Sequence, residues 1–226
     1  EISMNVTAQP EVDQQWVRPI EDLRLSDVPN VGGKAANLGE LTSARFPVPA
    51  GFVITTSAYL DTIDAAGIRA NLYAHRLPPA GAGKADFAAV ARDLRASVMT
   101  APVPDALRSA IAAAYRGLGD TTRVAVRSSA PSEDAADTSF AGIHDSFTNI
   151  VGADAVVDAV RRCWASLWSE RALTYRSVQG IDAEPSVAVV VQSMVASDRS
   201  GVVFTADPRT GARDRIVIEA ARGLGE

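Results

Sequence analysis

A single cysteine, Cys163, in 226 residues excludes an internal disulfide and any cysteine-based zinc site, and it fits a reducing compartment. Aromatic residues make up only 6% of the chain against 47% hydrophobic residues overall. The apolar count therefore overstates core volume, and alanine-rich helices are expected to outnumber strands. No apolar run reaches the roughly 18–20 residues that a membrane span requires. The N-terminus lacks the charged-then-apolar layout of a signal peptide, which leaves the cytoplasm as the default location. Charge of neither sign dominates: 22 Lys+Arg against 27 Asp+Glu gives −5. Such a field repels nucleic acid and anionic lipid and leaves a polyanion only a local basic pocket. Internal repeats, heptads, Gly-X-Y periods and low-complexity tracts are all missing, so an ordinary folded domain is the starting point.

What is present reads as an alternation of short strands and amphipathic helices. Met4, preceded by Glu1-Ile2-Ser3, has the look of a start residue behind a cloning remnant, and residues 1–14 are read as that remnant plus a flexible N-terminus. Trp16 to Ile20 suits a short edge strand that tolerates its proline. Val31-Gly32-Gly33-Lys34 opens a helix through Leu41, and Gly51 to Ile54 forms a strand followed by capping candidates Thr55, Thr56 and Ser57. Residues 85–99 and 104–116 read as helices, the second with Pro104 in its first turn. Thr122 to Arg127 and His144 to Val151 suggest a hairpin around the acidic, small-residue loop from Ser128 to Phe140. From Ala153, Val156, Val160, Trp164 and Leu167 form one apolar stripe on a helix expected to run towards Gly180. Strands over 185–195, 201–206 and 215–219 complete the pattern.

Two familiar phosphate loops are tested and fail. Gly81-Ala82-Gly83-Lys84 lacks the earlier glycine and the following Ser/Thr of a Walker A loop, and Gly32-Gly33-Lys34 fits neither that pattern nor G-x-G-x-x-G. Yet Gly32-Gly33-Lys34 at a helix start offers backbone N–H groups, a helix dipole and an ammonium, which suit either an anion site or a plain helix-entry loop. Arg127, closing a β-rich run, meets either a ligand anion or Glu133 or Asp134 across the hairpin. Cys163, Trp164 and Trp168 read as core. His75 reads as a surface or helix-end residue, and a catalytic role for His144 has little support. Asp207-Pro208-Arg209-Thr210-Gly211 is turn chemistry.

Seven motifs in order, VGGKAANLGEL, VPAGFVITTSAYL, VAVRSSAPSED, SFAGIHDSFTNI, VVVQSMV, SGVVFTADPRTG and AARGLGE, cover roughly Leu25 to Glu226. Together they resemble the ATP-binding region of the phosphoenolpyruvate-utilising dikinases: phosphoenolpyruvate synthase (pyruvate, water dikinase), pyruvate phosphate dikinase and the rifampin phosphotransferases. The resemblance implies an α/β (α+β) fold of the ATP-grasp type, with a complete first lobe over 15–195 and a truncated second lobe over 196–226. It implies that Lys34 and Arg127 contact the polyphosphate of ATP. Gly142, backbone around Ala141 and the Ser146 hydroxyl would form a flexible loop over the phosphates, and Gln192 with backbone near Met194 and Val195 would reach the adenine. A phosphorylatable histidine would lie in a separate domain, which with the acceptor-binding domain is the expected partner.

Two departures from the family pattern stand out. Ile143-His144 replaces the usual Gln-Gln after Phe-Ala-Gly, and Ala130-Pro131-Ser132 replaces the frequent Ala-Thr-Ala. In the relatives, the Mg²⁺ ligands and a further phosphate-binding arginine follow the GLGE motif, beyond Glu226. The chain alone is therefore expected to hold ATP weakly, to catalyse little and, with strand edges unpaired, to self-associate. The leading expectation is a phosphoenolpyruvate synthase-like enzyme that passes the β-phosphoryl of ATP to a carrier histidine. The alternatives are a rifampin phosphotransferase and a short non-catalytic nucleotide-binding or regulatory module.

Overall fold

The computed structural model describes residues 15–74, 78–79, 81, 83–131, 145–181 and 184–224. They fall into two compact units that divide between Ser193 and Met194. The segment before residue 15 lies outside the described residues, as do His75, Glu133, Asp134, Ala141, Gly142 and His144.

The first unit is built on a five-stranded sheet in the order β1 (Val17–Pro19), β2 (Gly51–Ile54), β5 (Ala188–Ser193), β3 (Val124–Ser129), β4 (Ser146–Ile150). Every neighbouring pair is antiparallel. The short, proline-ended β1 takes one edge, where a missing N–H does no harm. The central strand β5 has its four valine and alanine positions Ala188 to Val191 fully buried, as a strand covered on both faces must.

Among the described residues seven helices pack on the sheet or on one another: α1 (Val28–Ser43), α2 (Thr56–Ala65), α3 (Arg69–Ala74), α4 (Lys84–Thr100), α5 (Asp105–Leu118), α6 (Ala153–Ser166) and α7 (Glu170–Gln179). Side chains alternate across a strand, so each face meets its own layer. Phe52, Ile54, Val124, Val126, Val189 and Val191 pack with residues of α2 to α7 and of the turn between α6 and α7, including Tyr59, Leu94, Ile111, Trp164, Trp168 and Leu173. Val53, Ala188 and Val190 point the other way, onto Val31, Ala35 and Ala36 of α1 and onto Ile20 and Leu23 ahead of it. The alanines let α1 sit close to the sheet. Cys163 is fully buried in the larger core, and burial pushes its thiol up to about 12.

Three local expectations are corrected. The helix expected from Ala153 to Gly180 is two helices, because the Ser169 side chain accepts a hydrogen bond from Ala172 N and caps a fresh start, while Gly180 in the left-handed region ends it. The apolar stripe hides this break, since Leu167 and Trp168 are buried through it. Thr55 does precede α2, but its hydroxyl donates to Gln15 O at 2.8 Å instead of capping the helix. Helix α1 begins three residues before Val31, with Pro29 in its first turn, where the missing N–H is tolerated.

In the second unit β6 (Arg199–Phe204) and β7 (Val217–Arg222) form an antiparallel ribbon with Val203 opposite Ile218. The connecting segment turns as its composition suggests: Asp207 Oδ1 accepts from Arg209 N and Thr210 N, and Gly211 takes a φ of 72°. Among the described residues, no helix is long and apolar enough to cross a membrane.

Candidate functional site

Helix α1 is anchored at its start by Asp27, whose carboxylate accepts from Arg18 Nη1 on β1 and from Arg24 N, both at 2.8 Å. The Arg18 hydrogen bond holds the Asp27 carboxyl below its ordinary value against the opposing effect of burial. One turn later the helix breaks. Gly32 adopts φ 76°, ψ 165°, a backbone region essentially closed to residues with a Cβ. The chain re-enters the helix at Gly33 and Lys34, and the break orphans N–H groups as any helix start does.

Strand β3 supplies their partners. Gly33 N donates to Ala130 O at 3.3 Å, and Ala35 N donates to the Ser129 hydroxyl oxygen at 3.2 Å. The approach is close enough that a Cβ on Gly32 would fall on the Ser129 carbonyl and hydroxyl. The expectation of a cradle of unhindered N–H groups at Gly32-Gly33-Lys34 is thus revised: the Gly33 donor, with that of the next residue but one, Ala35, is already used to fasten α1 to the end of β3. Lys34, half-buried, sits between the two fastened residues.

Arg127 lies two residues before Ser129 on β3 and is exposed. With a side-chain period of two it shares the face of Ser129, the face covered by α1. Its register neighbours are Val190 on β5, which packs under α1, and Ser146 on β4. Gln192 is two residues beyond Val190, opposite Ala125 and Gly51, and so faces the same way. Its amide Nε2 donates to Pro49 O at 3.0 Å, which fixes the side chain against the loop before β2. Four of the residues singled out from the sequence, Lys34, Arg127, Ser146 and Gln192, therefore occur on one side of one sheet.

The other four are Met194, Val195, Ala141 and Gly142. Met194 and Val195 belong to the second unit, and Val195 is exposed. Ala141 and Gly142 lie outside the described residues, as do both proposed acidic partners of Arg127. Sequence reasoning missed Ser129 and the Pro49 carbonyl. Ser129 stood inside a quoted motif, but a hydroxyl that caps a helix 94 residues away leaves no local signal.

A separate groove of about 800 Å³ between α4 and α7 is lined by Arg95, Asp145, Glu170, Arg171 and Tyr175, among others. It contains none of the residues expected from the sequence, and its helices belong to the opposite layer. Among the described residues no three His, Cys, Asp or Glu side chains gather as a metal-holding group.

The described residues thus form a mixed helix and antiparallel-sheet domain with Lys34 and Arg127 on one side of its sheet. The chain belongs to the family described as the AMP/ATP-binding domain of pyruvate phosphate dikinase, which matches residues 28–226. Among curated proteins it is similar to the phosphoenolpyruvate synthase of Aeropyrum pernix, with 44% identity over 223 residues covering 95% of this chain and 27% of that protein. The probable phosphoenolpyruvate synthase of Methanothermobacter thermautotrophicus is 40% identical, covering 94% of this chain and 32% of its own length. The rifampicin phosphotransferase of Streptomyces sviceus is 41% identical, over 95% of this chain and 25% of that protein. The chain thus spans between a quarter and a third of the relatives it matches.

Proposed function

We propose that this chain is the ATP-binding region of a phosphoenolpyruvate synthase-like phosphotransferase of the ATP-grasp type, with a first lobe through about residue 195 and a second opening after it. The observation that carries this reading is the fastening of α1 to β3, which brings Lys34 and Arg127 to one face of the sheet. Phosphoryl transfer depends on holding the polyphosphate in place and neutralising its charge, and an ammonium and a guanidinium do both. Arg127 would grip phosphate oxygens as a planar fork and Lys34 as a point charge. Ser146, directly across from Arg127, would donate its hydroxyl to the same group. Gln192 would meet the adenine, and Ala141, Gly142, Met194 and Val195 would complete the nucleotide contacts.

Mg²⁺ would arrive as the ATP complex. In the complete protein the β-phosphoryl group would leave ATP for a carrier histidine in another domain, with AMP released and the γ-phosphoryl transferred to water as phosphate, and would pass from the histidine to pyruvate. Similarity to a rifampicin phosphotransferase supports a second reading in which the final acceptor is a rifamycin.

Lys34→Ala and Arg127→Ala are each expected to weaken ATP binding about ten- to hundredfold, the effect of losing a charge-assisted contact of about 1.5–3 kcal/mol. Adenosine affinity should stay unchanged. Calorimetric titration checks this, and unaltered ATP affinity in both variants removes the phosphate assignment. We also propose self-association through the second unit, where the cross-strand partners Val203 and Ile218 are 61% and 67% exposed on a two-stranded ribbon. Light scattering should show a mass that rises with concentration, and a constant monomer mass would refute it.

A further inference from the structure

We infer that Ser129 is a positioning residue for nucleotide phosphate: its buried hydroxyl sets where Lys34 stands relative to Arg127. This inference rests on the ATP reading above and adds to it a residue that touches no ligand.

Ser129 is fully buried and its hydroxyl oxygen accepts from Ala35 N across 94 residues of chain. The bond is a helix N-cap delivered from a strand: the break at Gly32 creates a new helix start, and the cap that such a start ordinarily takes from its own chain comes from β3 instead. Lys34 is flanked on both sides by bonds to the same strand end, Gly33 N to Ala130 O and Ala35 N to Ser129 Oγ. Arg127 is two residues upstream on that strand and on the same face. The shortest hydrogen-bonded link between the two cations therefore runs through this bridge, beside the apolar packing of α1 on the sheet. Ser128 shows that the hydroxyl on Ser129 is used specifically: its own Oγ turns to the other side and donates to Asp145 O. The carbonyl of Ala130 is backbone and stays in any variant, so the Ser129 hydroxyl is the half of the clamp that a substitution can remove.

The test is a titration of the protein with ATP and with adenosine, alongside thermal unfolding. Ser129→Ala is expected to lower ATP affinity about tenfold and to leave adenosine affinity within about twofold, because the loosened helix misplaces Lys34 without disturbing the base. In a Lys34→Met background the same substitution should cause no further loss of ATP affinity, as expected of two residues acting as one unit. A merely structural serine would lower the unfolding temperature and leave the ratio of ATP to adenosine affinity where it was. That outcome overturns the inference, as does full additivity with Lys34→Met. If Ser129→Ala fails to fold, Ser129→Cys, which keeps the volume and weakens the acceptor, is titrated with the same two expectations. Equal affinity of the unsubstituted protein for ATP and adenosine would instead remove the phosphate reading itself, and this inference with it.

Discussion

Replacing Gly32 with alanine is expected to destabilise the protein by about 3–5 kcal/mol, a large part of the 5–15 kcal/mol that holds a typical domain folded. Two costs add. The backbone at φ 76°, ψ 165° lies where residues with a Cβ pay about 1–3 kcal/mol. The new methyl group would also collide with the carbonyl of Ser129, a backbone atom held in the sheet that cannot swing aside. Gly67 provides an internal control. It also has positive φ, at 67°, but nothing lies within 4 Å of a Cβ built there. Gly67→Ala should therefore lose only the conformational part, about 1–2 kcal/mol. Urea denaturation of both variants separates strain from collision, and equal midpoints would contradict the close approach of α1 to β3. Whatever Gly32→Ala protein remains folded should also bind ATP poorly, since the collision opens the bridge beside Lys34.

Trp168→Ala is expected to cost a similar 3–5 kcal/mol with a different signature. The indole is 1% exposed in the turn that links α6 to α7. Its Nε1 donates to the Tyr59 hydroxyl at 3.0 Å, and its ring meets that of Tyr73 edge-on with centroids 5.6 Å apart. Removing it empties the junction of α2, α3 and the α6–α7 turn and leaves the Tyr59 oxygen, buried deeply enough that its phenol is raised to about 12, without its donor. Trp168→Phe keeps most of the volume and loses the hydrogen bond, so it should cost only about 1–2 kcal/mol. Because this core lies on the sheet face opposite α1, nucleotide affinity of the folded variant should match that of the unsubstituted protein. A Trp168→Ala variant within about 1 kcal/mol of the original would show that the junction collapses to fill the space.

Legibility in the sequence followed the range of the interactions. Strand β2 was legible to its end residues because Gly51 to Ile54 is bounded by prolines on one side and a Thr-Thr-Ser run on the other. The hairpin of β3 and β4 was visible in its alternation, and its pairing puts Arg127 opposite Ser146. The break between α6 and α7 was not, since burial of Leu167 and Trp168 continues the stripe while the decisive event is one serine turning back to its own backbone. At the site, Lys34 and Arg127 stood out as charges in unusual surroundings. What joins them did not, because Ser129 and Ala35 meet only when the sheet is formed. Gln192 was expected near the base for its amide, and its bond to Pro49 O belongs to the same class of long-range contact.

The strand order carries a consequence for how such a domain is made. β5 is the last strand of its sheet to leave the ribosome, yet it lies in the middle, between the β1–β2 pair and the β3–β4 hairpin. Until residue 188 has been synthesised, the two halves have no shared partner strand, and slow, non-local pairing of this kind governs the rate at which a sheet assembles. Lys34 travels with the first half and Arg127 with the second. A nascent polypeptide that has not yet reached Ala188 already carries both cations but has no surface on which to bring them together.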